Sequence, residues 1–384
     1  MANIIDYVQW RGDIPLEQVS LCAVDALILS YLSYMPFDGL ISETLAEEGT
    51  TLSQVAAHLK GLPIACVMDS GKSDKKLLEA LEHSERFGGI RLTGYVSRFD
   101  EETEEQFSAT TFLLPQGQAF IAFRGTDASV VGWKEDFNMC FSAEVPAQRA
   151  ALDYAVRVAE ELGRPMILGG HSKGGNLAAY AGIFAPDEVQ ERIACVYNFD
   201  GPGFNETLLN TSEFRKMDMR IHTFVPQTSV VGILMWHAEP FMVVESDGVG
   251  VLQHNPYSWQ VMGGHFIMLA ERTRESHLAE KTLKSWLADL SAEERKRFID
   301  GVYSVLSVSD GRNVADLFDP KNVRAILRAV SSMDEETKSA IFDVFKRLGN
   351  SLRESLPEWF EGTADQIRTL IGQRNEREEG HSDA

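Results

Sequence analysis

One short stretch carries the residues best suited to chemistry, a serine with a glycine two residues before it and another two residues after it. Gly170-His171-Ser172-Lys173-Gly174 follows an apolar run and precedes an alanine-rich helical pattern. A G-x-S-x-G sequence at the junction of a strand and a helix is typical of a nucleophile elbow, a sharp turn that exposes the serine hydroxyl. The glycines suit such a turn because a Cβ at either position would crowd the facing strand and helix. The stretch therefore predicts Ser172 as a nucleophile in covalent catalysis.

A serine nucleophile needs a carboxylate and a histidine, which in this type of site follow it in the order Ser, Asp, His. Asp200 ends a predicted strand and is followed by Gly201-Pro202-Gly203, a turn expected at the same rim of the sheet as Ser172. Asp200 is therefore the first candidate for the acid. Asp247, in a Ser-Asp-Gly turn, is the second candidate, and Asp218 is the third.

Three of the nine histidines lie where the base is expected. His254 stands among turn-forming residues in a loop after a predicted strand, which suits an imidazole held at a loop tip. His265, at the start of a predicted helical stretch, is the second candidate, and His237, in an apolar loop, is the third. His171 precedes the nucleophile and points away from it by strand alternation, which predicts a packing role.

The negative charge that develops on the substrate oxygen needs two backbone N–H donors, the oxyanion hole. In a site of this type one donor belongs to the residue after the nucleophile, here Lys173, and the other to a loop after an early strand. Phe123-Arg124-Gly125-Thr126 follows such a strand. Thr126 is therefore the predicted second donor, and its hydroxyl is suited to assist.

Three motifs together resemble the class 3 (fungal-type) lipase family of α/β-hydrolases. They are Phe123-Arg124-Gly125-Thr126, then Trp133 and Asp136 in a W-x-x-D spacing, then Gly170-His171-Ser172-Lys173-Gly174-Gly175. The resemblance covers residues 90–260 approximately and implies an α/β-hydrolase fold, a Ser-His-Asp triad and an ester or lipid substrate. The whole chain is also similar to bacterial lipase-like families of unknown substrate.

The chain departs from the class 3 pattern in ways that bear on the site. Lys173 stands where the family has leucine, and residues 1–89 and 271–384 have no counterpart in the small secreted lipases. Class 3 lipases place the acid in a D-x-V-P motif, but the corresponding Thr223-Phe224-Val225-Pro226 has no carboxylate. Asp200 instead resembles the acid of the L-D-P-A-x-P segment of pancreatic-type lipases, which strengthens its assignment.

An apolar stretch at residues 230–236 has two interpretations. It forms either a buried core segment or a lid or acyl-chain wall over Ser172. In the second interpretation Val231, Leu234 and Trp236 contact the substrate, and Trp133, beside the oxyanion segment, forms the opposite wall.

The elements that must position these residues follow from hydrophobic periodicity. Helices are predicted over residues 20–35, with Ser20 as the cap, and over 42–59 and 73–87. Short strands rich in β-branched and aromatic residues follow at 91–99, 106–114 and 118–123. Helices at 147–162 and 173–185 then alternate with strands at 165–169, 192–199, 219–225 and 240–244. This order predicts an α/β-hydrolase fold, a mixed, mostly parallel sheet flanked by helices.

The predicted organisation has three parts. Residues 1–270 form the hydrolase domain with its N-terminal helical segment, residues 271–373 form a helical C-terminal extension, and residues 374–384 form a polar, disordered tail. Within the extension, capping boxes at Ser291-Glu294 and Ser332-Glu335 open two helices.

Composition excludes several classes of partner. The net charge of −21 disfavours nucleic acid and anionic membrane surfaces. No apolar run is long enough to span a bilayer, and the first residues lack the pattern of a secretory signal. We therefore expect a cytoplasmic protein in which Cys22, Cys66, Cys140 and Cys195 are reduced and buried. The histidines and cysteines show no metal-ligand spacing, so neither a metal nor a cofactor is expected.

The sequence therefore predicts a carboxylic ester hydrolase of lipase or esterase type, acting on a small ester or a lipid. His254 takes the proton of Ser172, Asp200 orients the imidazole, and water hydrolyses the acyl-enzyme. An acyltransferase, a thioesterase or a peptidase with the same triad is an alternative. A hydrolase fold without activity that binds a partner is a further alternative, although such a module has no need for the complete set of residues.

Overall fold

A computed structural model of the protein describes residues 2–62, 72–100, 102–103, 105–126, 135, 139 and 144–289. Four N-terminal helices pack on one face of the sheet. They are α1 (Ile4–Arg11), α2 (Ala23–Leu32), α3 (Leu52–Leu59) and α4 (Lys72–Glu82). Their apolar side chains form one cluster with sheet residues such as Phe120 and Ile167. A buried ion pair also joins this segment, since Nε of Arg86 donates to Oδ1 of Asp25 at 2.7 Å.

The N-terminal helices differ from the predictions at two points. Helix α2 begins after Cys22, whose N–H donates to the Asp25 carboxylate at 2.8 Å, so Ser20 is not its cap. The prediction of one helix over residues 42–59 was wrong in its first half. Thr51 caps α3 and also belongs to the two-residue strand β1 (Thr50–Thr51), which pairs with the sheet edge. Strand pairing and the threonine cap therefore prevail over the helical periodicity.

Eleven strands lie in the described residues. In chain order they are β1, β2 (Arg91–Asp100), β3 (Glu105–Leu113), β4 (Ala119–Phe123), β5 (Met166–His171), β6 (Ile193–Phe199), β7 (Ile221–Pro226), β8 (Phe241–Val244), β9 (Val261–Met262), β10 (His265–Phe266) and β11 (Met268–Leu269). Nine of them form one sheet in the order β1-β2-β3-β4-β5-β6-β7-β8-β11.

The first strands of this sheet pair antiparallel, and β4 to β8 pair parallel. Strand β11 closes the far edge antiparallel to β8. The carboxyl ends of the five parallel strands therefore meet at one rim, where open α/β sheets bind their ligands.

Helices cover the second face of the sheet. The longer ones are α5 (Pro146–Leu162), α6 (Lys173–Phe184) and α9 (Ser212–Met217), and the single turns α7 (Asp187–Gln190) and α8 (Glu206–Leu209) lie between α6 and α9 in the chain. Side-chain alternation along β5 serves both faces, since Ile167 joins the cluster of the N-terminal helices and Leu168 joins the cluster of α5, α6 and α9. A mixed sheet with five neighbouring parallel strands and helices on both faces confirms the predicted α/β-hydrolase fold.

A short hairpin of β9 and β10 lies between β8 and β11 in the chain. The prediction that His265 begins a helix was wrong, because His265 lies in β10, paired with β9 through a turn in which Gly263 has a φ of +62°. Helix α10 (Arg274–Asp289) opens the predicted C-terminal extension. The Ser291-Glu294 and Ser332-Glu335 capping boxes and the predicted tail lie outside the described residues. In the described part of the chain, no helix combines the length and apolar character needed to cross a membrane.

Two of the four cysteines can be located. Cys22 and Cys195 are free thiols that are half-buried, less enclosed than the sequence predicted. Burial raises the pKa of both thiols, so each stays protonated and is a weak nucleophile near neutral pH. Cys66 and Cys140 lie outside the described residues.

Candidate active site

Ser172 stands in a strained turn at the junction of β5 and α6. Its φ is +59° and its ψ is −135°, a combination that residues other than glycine rarely adopt. Close contacts explain both flanking glycines. A Cβ on Gly170 would lie 2.1 Å from the backbone of Gly174, and a Cβ on Gly174 would lie 2.1 Å from the carbonyl oxygen of Phe123. The sharp strand-to-helix turn expected for a nucleophile elbow is therefore present.

Asp200 lies beside Ser172 at the carboxyl rim of the sheet. It directly follows β6, the strand that pairs with β5, and the N–H of Ser172 donates to the carbonyl of Phe199 at 2.9 Å. Asp200 also has a positive φ of +51°, and its N–H donates to the carbonyl of Phe224 on β7 at 2.7 Å. The backbone of the neighbouring strands thus fixes the position of the acid candidate.

The side chains of Asp200 and His254 form a hydrogen-bonded pair. Nδ1 of His254 lies 2.6 Å from Oδ2 of Asp200, whose side chain is buried. The other carboxylate oxygen accepts the Ser229 hydroxyl at 2.5 Å and the N–H of Gly232 at 3.1 Å. Because an ionised carboxylate only accepts hydrogen bonds, Nδ1 of His254 carries its proton and Nε2 is the nitrogen that accepts one.

His171 links this pair to the elbow. Its Nε2 lies 2.8 Å from the backbone carbonyl of His254, and the two imidazole rings are 4.5 Å apart between centroids. Burial, with a smaller contribution from His254, holds the pKa of His171 well below its ordinary value. The neutral His171 therefore donates from Nε2. Its side chain points away from α6 toward α2, as strand alternation predicts, yet it contacts the loop that carries the base candidate.

The alternative acids and bases stand elsewhere. Asp247 is exposed. Asp218 precedes β7 and so lies near the amino ends of the parallel strands, whereas Ser172 lies at their carboxyl ends. His265 is exposed in β10. His237 forms a second buried pair with Glu239, with 2.9 Å between Nδ1 and Oε1.

That second pair contacts the first residue of the Thr223-Phe224-Val225-Pro226 stretch. The hydroxyl of Thr223 donates to Glu239 at 2.5 Å. Nε2 of His237 is buried and has no hydrogen-bond partner among the described residues. Each of the contacts described for His237 and Glu239 is made with β7, the start of β8 or the turn after β6, and none is made with the elbow.

The predicted oxyanion residues lie on two adjacent segments. Lys173 opens α6, so its N–H stands at the positive end of a helix dipole. The segment with Thr126 packs directly on the elbow, since a Cβ on Gly125 would lie 2.7 Å from the carbonyl of His171 and 2.0 Å from the Tyr34 hydroxyl. Thr126 is itself buried. These contacts bring Thr126 to the same side of the rim as Ser172.

The charged side chain of Lys173 is buried rather than exposed to substrate. Its ammonium donates to the carboxylate of Glu135 at 2.8 Å and to the backbone and side-chain oxygens of Gln106 at 2.9 Å each. The side chain thus runs from the elbow toward the start of β3. Sequence reasoning identified Lys173 as unusual but missed its partner Glu135.

The apolar stretch after β7 is partly buried. Ile233 and Met235 are buried, whereas the side chains proposed to contact substrate, Val231, Leu234 and Trp236, are half-buried. The backbone of the stretch is held by the turn after Asp200, because the N–H of Gly203 donates to the carbonyl of Leu234 at 2.9 Å. Trp133, the predicted opposite wall, lies outside the described residues, as does Asp136.

Two supporting residues were missed by the sequence interpretation. Ser229 contacts Asp200, and its place just after β7, at the carboxyl rim, was a usable signal. Asn176 is fully buried on α6 and donates to the carbonyls of Pro202 and Gly203 at 3.1 and 2.7 Å, which holds the turn after Asp200. A lone amide in an otherwise small and apolar helical run was the signal for Asn176.

Among the described residues, no three His, Cys, Asp or Glu side chains form a group suited to a metal.

The chain is similar to several solved lipase structures at low sequence identity. The Lip2 lipase from Yarrowia lipolytica is 12% identical, with a TM-score of 0.34 over 66% of this chain and 86% of that chain. The Rhizomucor miehei lipase propeptide complex is 13% identical, with a TM-score of 0.31 over 54% of this chain and 75% of that chain.

Lipase II from Rhizopus niveus is 14% identical, with a TM-score of 0.30 over 55% of this chain and 88% of that chain. Comparison with curated protein sequences gives no match. A family model described as Mbeg1-like matches residues 81–304, a span that includes Ser172, Asp200 and His254. Because this match covers more than half of the sequence, the chain belongs to the Mbeg1-like family.

Proposed function

We propose that the protein is a serine hydrolase that cleaves carboxylic esters through Ser172, His254 and Asp200. The observation that carries this proposal is the 2.6 Å contact between Nδ1 of His254 and Oδ2 of Asp200, at the rim where the strained Ser172 stands. A nucleophile, a base and an orienting carboxylate at one rim are the parts that acyl transfer requires.

In the proposed reaction, Nε2 of His254 takes the hydroxyl proton of Ser172 while Oγ attacks the ester carbonyl. The tetrahedral intermediate then collapses to an acyl-enzyme, and the alcohol leaves with the proton that His254 returns. A water molecule, deprotonated by His254, attacks the acyl carbonyl. The bond between the acyl carbon and Oγ of Ser172 then breaks, His254 returns the proton to Oγ, and the carboxylic acid is released. Asp200 keeps the proton of the imidazole on Nδ1 throughout and stabilises the imidazolium.

The proposed oxyanion hole consists of the N–H groups of Lys173 and Thr126. The N–H of Lys173 is one of the unpaired donors in the first turn of α6, where the helix dipole favours negative charge. Packing of the Thr126 segment on the elbow supports the second donor. Loss of one such donor reduces turnover by about 100- to 1000-fold.

The substrate is proposed to be an ester with an apolar acyl or alcohol part. Val231, Leu234 and Trp236 are half-buried, and their segment is bonded to the turn that follows Asp200. A wall of this composition favours an apolar chain over a charged group. The net charge of −21 also disfavours anionic substrates.

Labelling with a fluorophosphonate, followed by turnover of p-nitrophenyl esters with short and long acyl chains, tests this function. We expect the probe to label wild-type protein at Ser172, no labelling of Ser172→Ala, and ester turnover that depends on the same residue. Folded wild-type protein that resists the probe contradicts the hydrolase proposal. If the probe labels Ser172 and the protein cleaves a thioester or a peptide but no ester, the enzyme acts on a bond other than a carboxylic ester.

A further inference from the structure

The base loop, residues 249–258, carries His254 and is attached to the N-terminal helical segment at two points. Residues 1–80 lie before the span that the family model matches, and the three-motif resemblance also starts after them. The core cluster nevertheless joins side chains of α1 to α4 with Tyr257 and Trp259, which follow His254 closely in the chain. The N-terminal helices therefore pack directly behind the proposed base.

The first attachment runs from α2 through His171. Tyr34, two residues beyond α2, places its hydroxyl 3.2 Å from Nδ1 of His171 and 3.2 Å from the carbonyl oxygen of the same residue. Because Nε2 of His171 donates to the backbone carbonyl of His254 at 2.8 Å, Nδ1 has the lone pair, and the single hydroxyl proton of Tyr34 has two acceptors on His171, Nδ1 and the carbonyl oxygen. Tyr34 thus holds His171 in place, and His171 holds the backbone of His254.

The second attachment runs from α4 and shares no hydrogen bond with the first. Oδ1 of the fully buried Asp74 accepts the hydroxyls of Tyr31 and Tyr257, each at 2.8 Å. Tyr31 belongs to α2, and Tyr257 lies three residues after His254. The rings of the two tyrosines are 5.1 Å apart in an edge-to-face arrangement. Asp74 therefore ties the far end of the base loop to two helices.

An imidazole base needs this support, because its own connection to the fold is a short 3-10 segment, Gly250–His254, rather than a long helix or strand. The bond to Asp200 constrains the ring at Nδ1, but the backbone beneath it is held by contacts from elsewhere. A displacement of about 1 Å at a reacting group can reduce turnover by about 100-fold.

We propose that His171 and Tyr34 are positioning residues for the base His254, and that Asp74 provides a second anchor through Tyr257. The N-terminal helices are then part of the catalytic apparatus rather than an appendage. This inference rests on the proposed triad. It concerns the backbone of the base loop, so it can be tested separately from activity.

The experiment compares variants in both attachments with a matched control. His171→Leu removes the donor to the His254 carbonyl, whereas His171→Gln supplies an amide N–H at a similar distance along the side chain. Tyr34→Phe and Tyr257→Phe each remove one hydroxyl. Tyr95→Phe is the control, because it removes a hydroxyl that donates to Asp38 and touches neither attachment.

Three measurements are made on each folded variant: kcat and KM for a p-nitrophenyl ester, the rate of fluorophosphonate labelling, and hydrogen–deuterium exchange of residues 249–258. For His171→Leu we expect kcat and the labelling rate to fall by about 10- to 100-fold with KM unchanged, and exchange of the loop to accelerate. Tyr34→Phe should show the same effects at smaller size, and Tyr257→Phe should accelerate the exchange. His171→Gln should recover most of the loss, and Tyr95→Phe should match the wild type.

The outcomes separate the two proposals. Folded His171→Leu with wild-type kcat, labelling rate and loop exchange overturns the positioning role. If His171→Leu does not fold, Tyr34→Phe and Tyr257→Phe decide, and wild-type exchange of the loop in both overturns it. If folded wild-type protein resists the probe, the triad proposal fails, and exchange alone decides whether the helices anchor the loop. A loss of activity that His171→Gln does not recover also contradicts the role, because a purely steric effect of the imidazole then explains the data.

Discussion

The ammonium of Lys173 lies 2.8 Å from the carboxylate of Glu135, and both side chains are almost completely buried. All three protons of the ammonium have acceptors, because Gln106 supplies its backbone and side-chain oxygens. Glu135 accepts in addition the N–H of Ala147 at 2.9 Å. A single ion pair thus joins the first turn of the elbow helix α6 to the starts of β3 and α5.

Removal of one partner of this pair should destabilise the protein strongly. Lys173→Met or Glu135→Leu leaves an unpaired buried charge, so we expect a loss of about 3–5 kcal/mol in the free energy of unfolding. The double variant should lose much less, because it leaves no charge. Denaturant unfolding gives the three values. Lys216→Met, which breaks an exposed pair with Asp187, is the control and should leave the unfolding free energy nearly unchanged. Equal losses in the single and double variants would contradict this prediction.

The identity of the base is tested by three alanine substitutions. His254→Ala should lower kcat by about 10,000-fold or more, because it removes the proposed acceptor of the Ser172 proton. His265→Ala should retain most activity, since His265 is exposed in β10. His237→Ala should also retain activity per folded molecule, because its described contacts do not reach the elbow. A severe loss in His237→Ala with activity kept in His254→Ala reassigns the base.

The acid is tested by amide substitution. Asp200→Asn keeps the shape of the side chain but allows the wrong tautomer of His254, so we expect kcat to fall by about 10,000-fold. Asp247→Asn is the matched control and should retain wild-type kcat, because Asp247 is exposed. Ester turnover at saturating substrate measures both. The assignment of Asp200 fails if the two variants exchange these results.

The geometry of the elbow predicts that alanine substitution destabilises the protein at Gly174 but not at Gly264. In Gly174→Ala the new Cβ would lie 2.1 Å from the carbonyl oxygen of Phe123, so backbone must move and we expect a loss of about 1–3 kcal/mol or more. In Gly264→Ala the Cβ meets no atom within 4 Å, and the stability should stay close to that of the wild type. Thermal unfolding of the two variants is the measurement. Equal melting temperatures would show that the elbow can relax.

The buried His171 predicts a dependence of stability on pH. Its pKa is lowered in the folded protein and is about 6.5 in the unfolded chain, so below pH 6.5 the unfolded chain binds a proton that the folded protein does not. The free energy of unfolding should therefore decrease as pH falls, by about 1.4 kcal/mol per pH unit until the folded pKa is reached.

His171→Gln removes this titration and should flatten the pH dependence by that amount. Denaturant unfolding of the two proteins between neutral pH and pH 5 compares the slopes, and the difference between them isolates His171 from the other histidines. Parallel slopes would mean that His171 titrates in the folded protein much as it does in the unfolded chain.

Local patterns predicted most of the fold. The strands around Ser172 and the long helices lie close to their predicted bounds, because hydrophobic periodicity and turn residues act over a few positions. The errors arose where a long-range contact prevailed. Pairing of β1 with the sheet edge shortened the predicted helix at 42–59, and the hairpin of β9 and β10 replaced the helix expected at His265. The catalytic roles of Ser172, Asp200 and His254 stay predictions.

The sequence by itself determined the strand-to-helix elbow at Ser172 and the chain order of acid and base candidates, since both depend on local chain geometry. Only the tertiary structure decided that His254, rather than His237, pairs with Asp200. It likewise decided that Glu135 neutralises Lys173 across 38 positions of the chain. Spacing along a sequence carries no information about such contacts, because they depend on how separately folded elements pack and bury their charges.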